Sequence, residues 1–420
     1  MGISILAGVR VVEMGTYIAV PTCARFLAGL GAEVIKIESP SGDPKRWTNA
    51  QEGRPSAPEQ FFYENTSWDV ENANKKGAIF NTKTPEGKRL LFELLETADI
   101  FLTNWRPQAL EKNGLDYETL KKRFPKLVYG SLTGYGENGP DCNLPGFDFT
   151  SFWARGGLAG SLYQKGTRPM NLVPGIGDNV AGMFLAAGVL AALFRARETG
   201  RGEKVTTNLL HSSIFVQSTM VQAAQYPDIG QHYPVDVAQA DNPFNVAYKT
   251  SDDRWLQLAA VLYDRYYPVV MTTIGRAELA EDTRYSKISG VMSSRRNSEV
   301  IGILAEAFQK RTLSEWSRLL TENDIPFSPM QTWEEVLEDP QAWANDVFYK
   351  MPYPSGERTL VRTPVTMREQ GLSEYNKGPL LGEHTEEVIR SLGYGDEQLR
   401  ELKASGAYMC WEDVRGNYNV

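Results

Sequence analysis

The strongest constraint on the fold is an alternation of two periodicities. Over the first 210 residues, short apolar runs exchange with longer stretches of helical spacing. Val9–Val12, Glu33–Ile37, Ala78–Phe80, Ile100–Leu102 and Leu127–Leu132 read as strands, while Thr22–Leu30 (closed by Gly31) and Pro85–Thr97 read as helices. Strands separated by helices predict an α/β unit with a largely parallel sheet. The pattern continues with a long apolar helix over 179–197, ended by Gly200 and Gly202. A strand over Lys204–Asn208 and a helix over Leu209–Ala224 follow.

Near Tyr226 the texture changes. Pro227, Pro234 and Pro243 punctuate a loop-like region. Phe244–Tyr248 and Arg254–Ala260 then read as antiparallel strands about Ser251-Asp252-Asp253, with helices over 263–274, 297–310 and 313–323. This is the pattern of a smaller α+β domain. More helix, a hairpin near Ser355-Gly356 and helical stretches at Glu383–Leu392 and Asp396–Lys403 complete the chain. The expected division is 1–225, 226–330 and 331–420.

A net charge of -8 argues against nucleic acid as a partner, since binding a phosphate backbone needs a basic face. Three dispersed cysteines, Cys23, Cys142 and Cys410, form no disulfide or zinc pattern and fit a reducing, cytoplasmic setting. Arg10 and Glu13 interrupt the apolar N-terminus, so it does not read as a signal peptide. The uncharged run Asn179–Phe194 is short for a membrane span and reads as a buried helix.

Gly134-Tyr135-Gly136-Glu137-Asn138-Gly139 spells a dinucleotide-binding fingerprint, but Pro140 and Pro145 follow where a helix must open, and Glu137 would repel phosphate. No phosphate-loop or nucleophile-elbow motif occurs. His211, His232 and His384 have no metal-ligand spacing, so no metal site is expected.

Pro174-Gly175-Ile176-Gly177-Asp178-Asn179 opens the long helix. Asp178 at the expected N-cap is either a capping carboxylate or a nucleophile beside helix-terminal N–H groups that receive developing negative charge. A second, polar cluster comprises Asn72, Asn74, Lys75, Lys76, Asn104 and Arg106, at strand edges where α/β sheets bind ligands; Lys76 reads as an ordinary solvated charge. Phe149, Phe152 and Trp153 either pack in the core or line an aromatic pocket, and Phe147 joins the pocket candidates.

Taken in order, GVRVVEMGTYIAVP, LGAEVIKIESPSGDPKR, ENANKKGAIFN, LTNWRPQALEKNGLDYETL, GSLTGYGENGP, PGFDFTSFWARGG, GIGDNVAGMFLAAGVLAAL, TGRGEKV and the C-terminal WEEVLEDPQAWAND and PLLGEHTEEVIRSLGY resemble the class III CoA-transferases, the family of formyl-CoA and carnitine CoA-transferases. The resemblance implies a Rossmann-like large domain built from both ends of the chain, a small domain inserted between, and a homodimer of interlocked rings with its active site between domains of different subunits. It implies that Asp178 is the nucleophile and that Asn74, Lys75, Asn104 and Arg106 contact coenzyme A. The CoA thioester is then a substrate, with a carboxylic acid as its partner and no tightly bound cofactor.

Within the family the chain most resembles clostridial transferases for cinnamoyl-CoA and phenyllactate or for 2-hydroxyisocaproate, and GRPSAPEQ leans toward the first. It departs from family patterns at Ser39, where many members are basic, at Asn179, and in having no visible glycine run in the small domain. The acyl-CoA racemases of the family carry a histidine before the aspartate of Gly146-Phe147-Asp148. Phe147 stands there in this chain, which argues against proton transfer.

Overall fold

The computed structural model describes residues 3–46, 64–226 and 232–415. The segment 53–60, which carries GRPSAPEQ, and Pro227 lie outside them. The chain divides into two compact units: 3–157 with 172–216 and 340–415, and 158–171 with 217–339. The stretch 158–171 joins the second unit because Lys165 N–H donates to the Val235 carbonyl at 2.8 Å and Gln164 bonds Asp236 at 3.1 Å.

The first unit is built on one sheet. Its strands are β1 (Arg10–Met14), β2 (Glu33–Glu38), β3 (Lys76–Phe80), β4 (Ile100–Thr103), β5 (Val128–Thr133), β6 (Lys204–Asn208) and a C-terminal edge strand, β12 (Tyr408–Met409). Their order is β12-β3-β2-β1-β4-β5-β6. All pairings are parallel except β12 on β3. The order therefore reverses direction between β1 and β4. Ligands of open α/β sheets bind in the crevice at such a switch point, beyond the carboxyl ends of the strands. The apolar runs are explained by burial on both faces: β4 is buried at every position.

Helices cover the sheet: α1 (Ala19–Gly29), α2 (Thr66–Asn72), α3 (Pro85–Glu96), α4 (Pro107–Asn113) and α5 (Tyr117–Arg123) precede the long α6 (Ile176–Thr199), which leads through β6 to α7 (Leu209–Val216). Local sequence sets their ends. The Thr84 side chain caps α3 by accepting from Gly87 N–H, with Pro85 in the first turn. Gly200, at φ 68°, closes α6. The helix expected over 209–224 is two, Leu209–Val216 and Ser218–Ala223, and the units part between them.

By length and composition α6 could cross a membrane, but Ala181, Gly182, Leu185, Ala186, Val189 and Leu193 are buried in the fold. A side chain at Gly182 would lie 2.4 Å from the Ala19 carbonyl of α1, so the two helices meet backbone to backbone. The expectation of a buried helix holds on this face and is corrected on the opposite one. Phe184 and Phe194 are 36% and 69% exposed, and Phe215 of α7, packed edge-on against Phe184 at 5.3 Å, is 61% exposed. One face of α6 meets α1 and the sheet, and the other stays apolar with Phe184 and Phe194 uncovered by the described residues.

The second unit carries a three-stranded sheet, β7 (Ala247–Lys249), β8 (Trp255–Leu258) and β9 (Phe327–Pro329), antiparallel throughout. Its core gathers Phe244, Tyr263, Tyr267, Phe308 and Trp316. Back in the first unit, β10 (Phe348–Tyr353) and β11 (Gly356–Val361) form the hairpin expected at Ser355-Gly356.

Candidate active site

Asp178 stands at the third position of α6, with Gly175 as the N-cap residue at φ 87°. The N-cap expectation for Asp178 is thus corrected. The capping role belongs to Asp148, which arrives from a short π-helix, Asp148–Ala154. Gly175 N–H donates to Asp148 Oδ2 at 2.7 Å and Gly177 N–H donates to Oδ1 at 3.0 Å. Two amides expected to receive charge from a substrate are therefore already taken.

Glycines make this arrangement possible. A Cβ at Gly177 would lie 2.2 Å from Phe152 Cγ and 2.4 Å from Asp148 Oδ1. A Cβ at Gly134 would lie 2.5 Å from the Gly146 Cα, so the end of β5 and the start of the Phe147–Asp148 segment touch backbone to backbone. Gly134, first of the apparent dinucleotide fingerprint, serves this close approach rather than a phosphate.

With both amides occupied by Asp148, the Asp178 carboxylate has no hydrogen-bond donor among the described residues. Burial, then the negative charges of Asp148 and Glu71, push it up to about 7, with Lys45 opposing. Glu71 is itself buried. It lies 2.8 Å from the Thr22 hydroxyl, which is also 2.8 Å from Asn179 Oδ1 and so ties α1 to the start of α6.

Asp178 lines a cavity of about 230 Å³ at the switch point. Its walls come from the loop after β1 (Thr16, Tyr17, Ile18), the loop after β4 (Asn104, Trp105, Arg106), the end of β5 and the segment 142–147. Asn104 sutures two of these loops: its Oδ1 accepts from Thr16 N–H at 3.0 Å and its Nδ2 donates to the Thr16 carbonyl at 2.9 Å. Arg106 heads α4 and is exposed, with no carboxylate partner among the described residues. Tyr17 takes the left-handed φ of 62° and packs edge-on against Phe147 with centroids 6.0 Å apart.

The loop after β1 rests on a buried ionic cluster. Lys36 Nζ lies 3.0 Å from Glu13, 3.0 Å from Asp43 and 2.6 Å from the Gly15 carbonyl, and Asp43 Oδ1 accepts from Tyr17 N–H at 3.1 Å.

The structure thus gathers Asp178, Asn104, Arg106 and Phe147 in one cavity and places the other expected site residues elsewhere. Lys75 is buried, 2.8 Å from Glu13 and bonded to the Pro21 carbonyl, and burial holds its ammonium down to about 8. Its ammonium braces the loop after β1. Asn74, at φ 65°, bonds the Glu374 carbonyl and Asn376 N–H. Both line a separate cavity of about 590 Å³ beside Trp68 and His384, away from Asp178. Phe149 is exposed and Trp153 packs edge-on against Phe152, both outside the lining around Asp178. Sequence reasoning missed Tyr17, which nothing local marks, and the capping role of Asp148.

The profile of CoA-transferase family III matches residues 6–385. The chain belongs to this family. As a family III CoA-transferase, it is an enzyme that uses CoA thioesters as substrates. It is 51% identical, over 95% of its length and 96% of the relative's, to a cinnamoyl-CoA:phenyllactate CoA-transferase of Clostridium sporogenes. It is 43% identical to an (R)-2-hydroxy-4-methylpentanoate CoA-transferase of Clostridioides difficile, over 96% and 98% of the two chains. Among solved structures, a CAIB/BAIF family protein from Brucella suis superposes with a TM-score of 0.76 at 26% identity, covering 92% of this transferase and 99% of that chain.

Proposed function

We propose that this transferase moves coenzyme A from an aryl 2-enoyl- or 2-hydroxyacyl-CoA to a free 2-hydroxy acid, with Asp178 as the nucleophile. The observation that carries the proposal is the Asp178 carboxylate, without a hydrogen-bond donor among the described residues and raised in basicity, on the wall of an aromatic-lined cavity at the switch point. The Asp178 oxygen attacks the thioester carbonyl and the C–S bond breaks, giving a mixed anhydride and CoA thiolate. The thiolate attacks the aspartyl carbonyl, releasing the donor's carboxylate and leaving an aspartyl-CoA thioester. The acceptor carboxylate displaces the thiolate, forming a second anhydride. Thiolate attack on the acceptor's carbonyl then frees the new acyl-CoA and restores Asp178. One thioester replaces another, so the exchange is close to neutral and draws on no nucleotide hydrolysis.

Arg106, exposed and without a carboxylate partner among the described residues, suits a phosphate of the CoA arm. The Tyr17–Phe147 pair favours an aryl group over a branched one, in keeping with the name of the 51%-identical relative. Phe147 also supplies no proton-transfer group where a racemase would need one. A homodimer belongs to the same reading, supported by the apolar face of α6 and α7 that the described residues leave exposed. Incubation with cinnamoyl-CoA, isocaproyl-CoA, acetyl-CoA and formyl-CoA, followed by hydroxylamine and peptide mass spectrometry, tests the mechanism. A hydroxamate at Asp178, formed fastest with cinnamoyl-CoA, is expected. An unmodified Asp178 with every donor, in protein that binds CoA, would sink the proposal.

A further inference from the structure

An acidic residue in the first turn of a helix ordinarily turns its carboxylate toward the free N–H groups there, which stabilise it as an anion. A nucleophile so paired would be weak. In this protein a different carboxylate takes those groups. Asp148 is 4% exposed, and its two oxygens accept the N–H groups of the N-cap residue Gly175 and of Gly177 in the first turn of α6. Its approach is enforced from two sides: the Gly134–Gly146 backbone contact sets where the segment starts, and the absence of a side chain at Gly177 leaves room for Phe152 and Asp148 Oδ1.

From this geometry we infer that Asp148 is a positioning residue for Asp178: by claiming the Gly175 and Gly177 amides it fixes the start of α6 and withholds those two donors from the neighbouring carboxylate. The inference rests on the reading of Asp178 as the nucleophile and adds the residue that keeps it reactive. Asp148 acts through its charge as well as its bonds. The groups around Asp178 are Asp148 from the π-helix and Glu71 from α2, which both oppose its ionisation, and Lys45 after β2, which favours it; Arg106, Tyr17 and Cys142 share the cavity. Of these, only Asp148 also holds the backbone on which Asp178 is mounted.

The test is the pH profile of kcat/KM for an acyl-CoA, which reports ionisation in the free enzyme. The wild-type profile should rise through a midpoint near 7. Asp148→Asn removes the charge while keeping one acceptor. Its midpoint should fall by about one pH unit, as expected when a nearby like charge is lost. Its kcat at pH 8 should fall at least ~10-fold, with KM for the acyl-CoA within ~2-fold, the pattern of an effect confined to the reacting group. Gly177→Ala, which wedges the cap apart but keeps both charges, should lose kcat with a smaller shift in midpoint.

A purely structural role would lower kcat equally at every pH, and an unmoved midpoint in Asp148→Asn overturns the inference. If Asp148→Asn does not fold, Asp148→Ser provides the same readout, since it also keeps an acceptor and removes the charge. Hydroxylamine trapping of the wild type, run in parallel, separates the two claims. A labelled Asp178 with an unmoved midpoint removes the role of Asp148 alone, whereas no label on Asp178 removes the nucleophile and the positioning role together.

Discussion

Asp178→Asn should make the protein more stable at neutral and alkaline pH and change little in acid. The carboxyl titrates near 7 in the fold and near 4 in an unfolded chain. Below pH ~4 it is neutral in both states and contributes nothing to the difference between them. Between ~4 and ~7 the unfolded chain ionises while the folded one resists, so folding stability drains away as pH rises. Above ~7 both states are ionised and the full penalty stands.

Three pH units correspond to a ceiling of about 4 kcal/mol. Asp178 is only half-buried, and solvent relief brings the figure to roughly 2 kcal/mol. The amide keeps the side chain's shape without the charge. For a unit of about 280 residues, unfolding entropy near 0.6 kcal/mol/K translates this into a midpoint ~3 °C higher. Differential scanning calorimetry of wild type and Asp178→Asn at pH 5, 6, 7 and 8 should show a gap that opens from about 1 °C and levels off above pH 7. A variant less stable than wild type at pH 8, or a gap independent of pH, would refute the claim that Asp178 is held against its own charge.

Two further expectations concern the frame of the site and its covered state. Lys36→Met leaves Asp43 without its cation and Glu13 with Lys75 alone, so denaturant titration should show a loss of ~3–5 kcal/mol, as for other broken buried ion pairs; a loss below ~1 kcal/mol would mean the cluster does not brace the loop after β1. Phe194→Glu combined with Phe215→Glu places charge on the apolar face of α6 and α7 and should reduce the proposed homodimer to monomer in sedimentation; a mass equal to that of the wild type would remove this face from the proposed interface.

Much of this architecture can be read from residues close together in sequence. Strands such as Ile100–Thr103 announce themselves because a parallel sheet covered on both faces demands continuous apolar runs. Helix ends at Thr84-Pro85 and Gly200 follow from backbone chemistry that acts within a few residues. The site resists the same reading wherever its logic is long-range. Nothing near Asp178 reveals that its helix is capped from Asp148. Lys75 looked available because it stands at a strand edge, yet its long side chain reverses that position and ends beside Glu13. Asn104 was expected to meet coenzyme A, and the structure shows both ends of its amide engaged with Thr16. For α6, composition indicated apolarity all round, but composition does not say how many sides of a helix a single chain can cover.

The contact between Gly134 and Gly146 closes the neck of a loop. Residues 135–145 hang from that neck, and they include Cys142, Leu144 and Pro145 of the cavity wall. With Gly177, the neck sets how Asp148 reaches the start of α6, so the seat of Asp178 is fixed by glycines on either side of the loop rather than by the loop's own side chains.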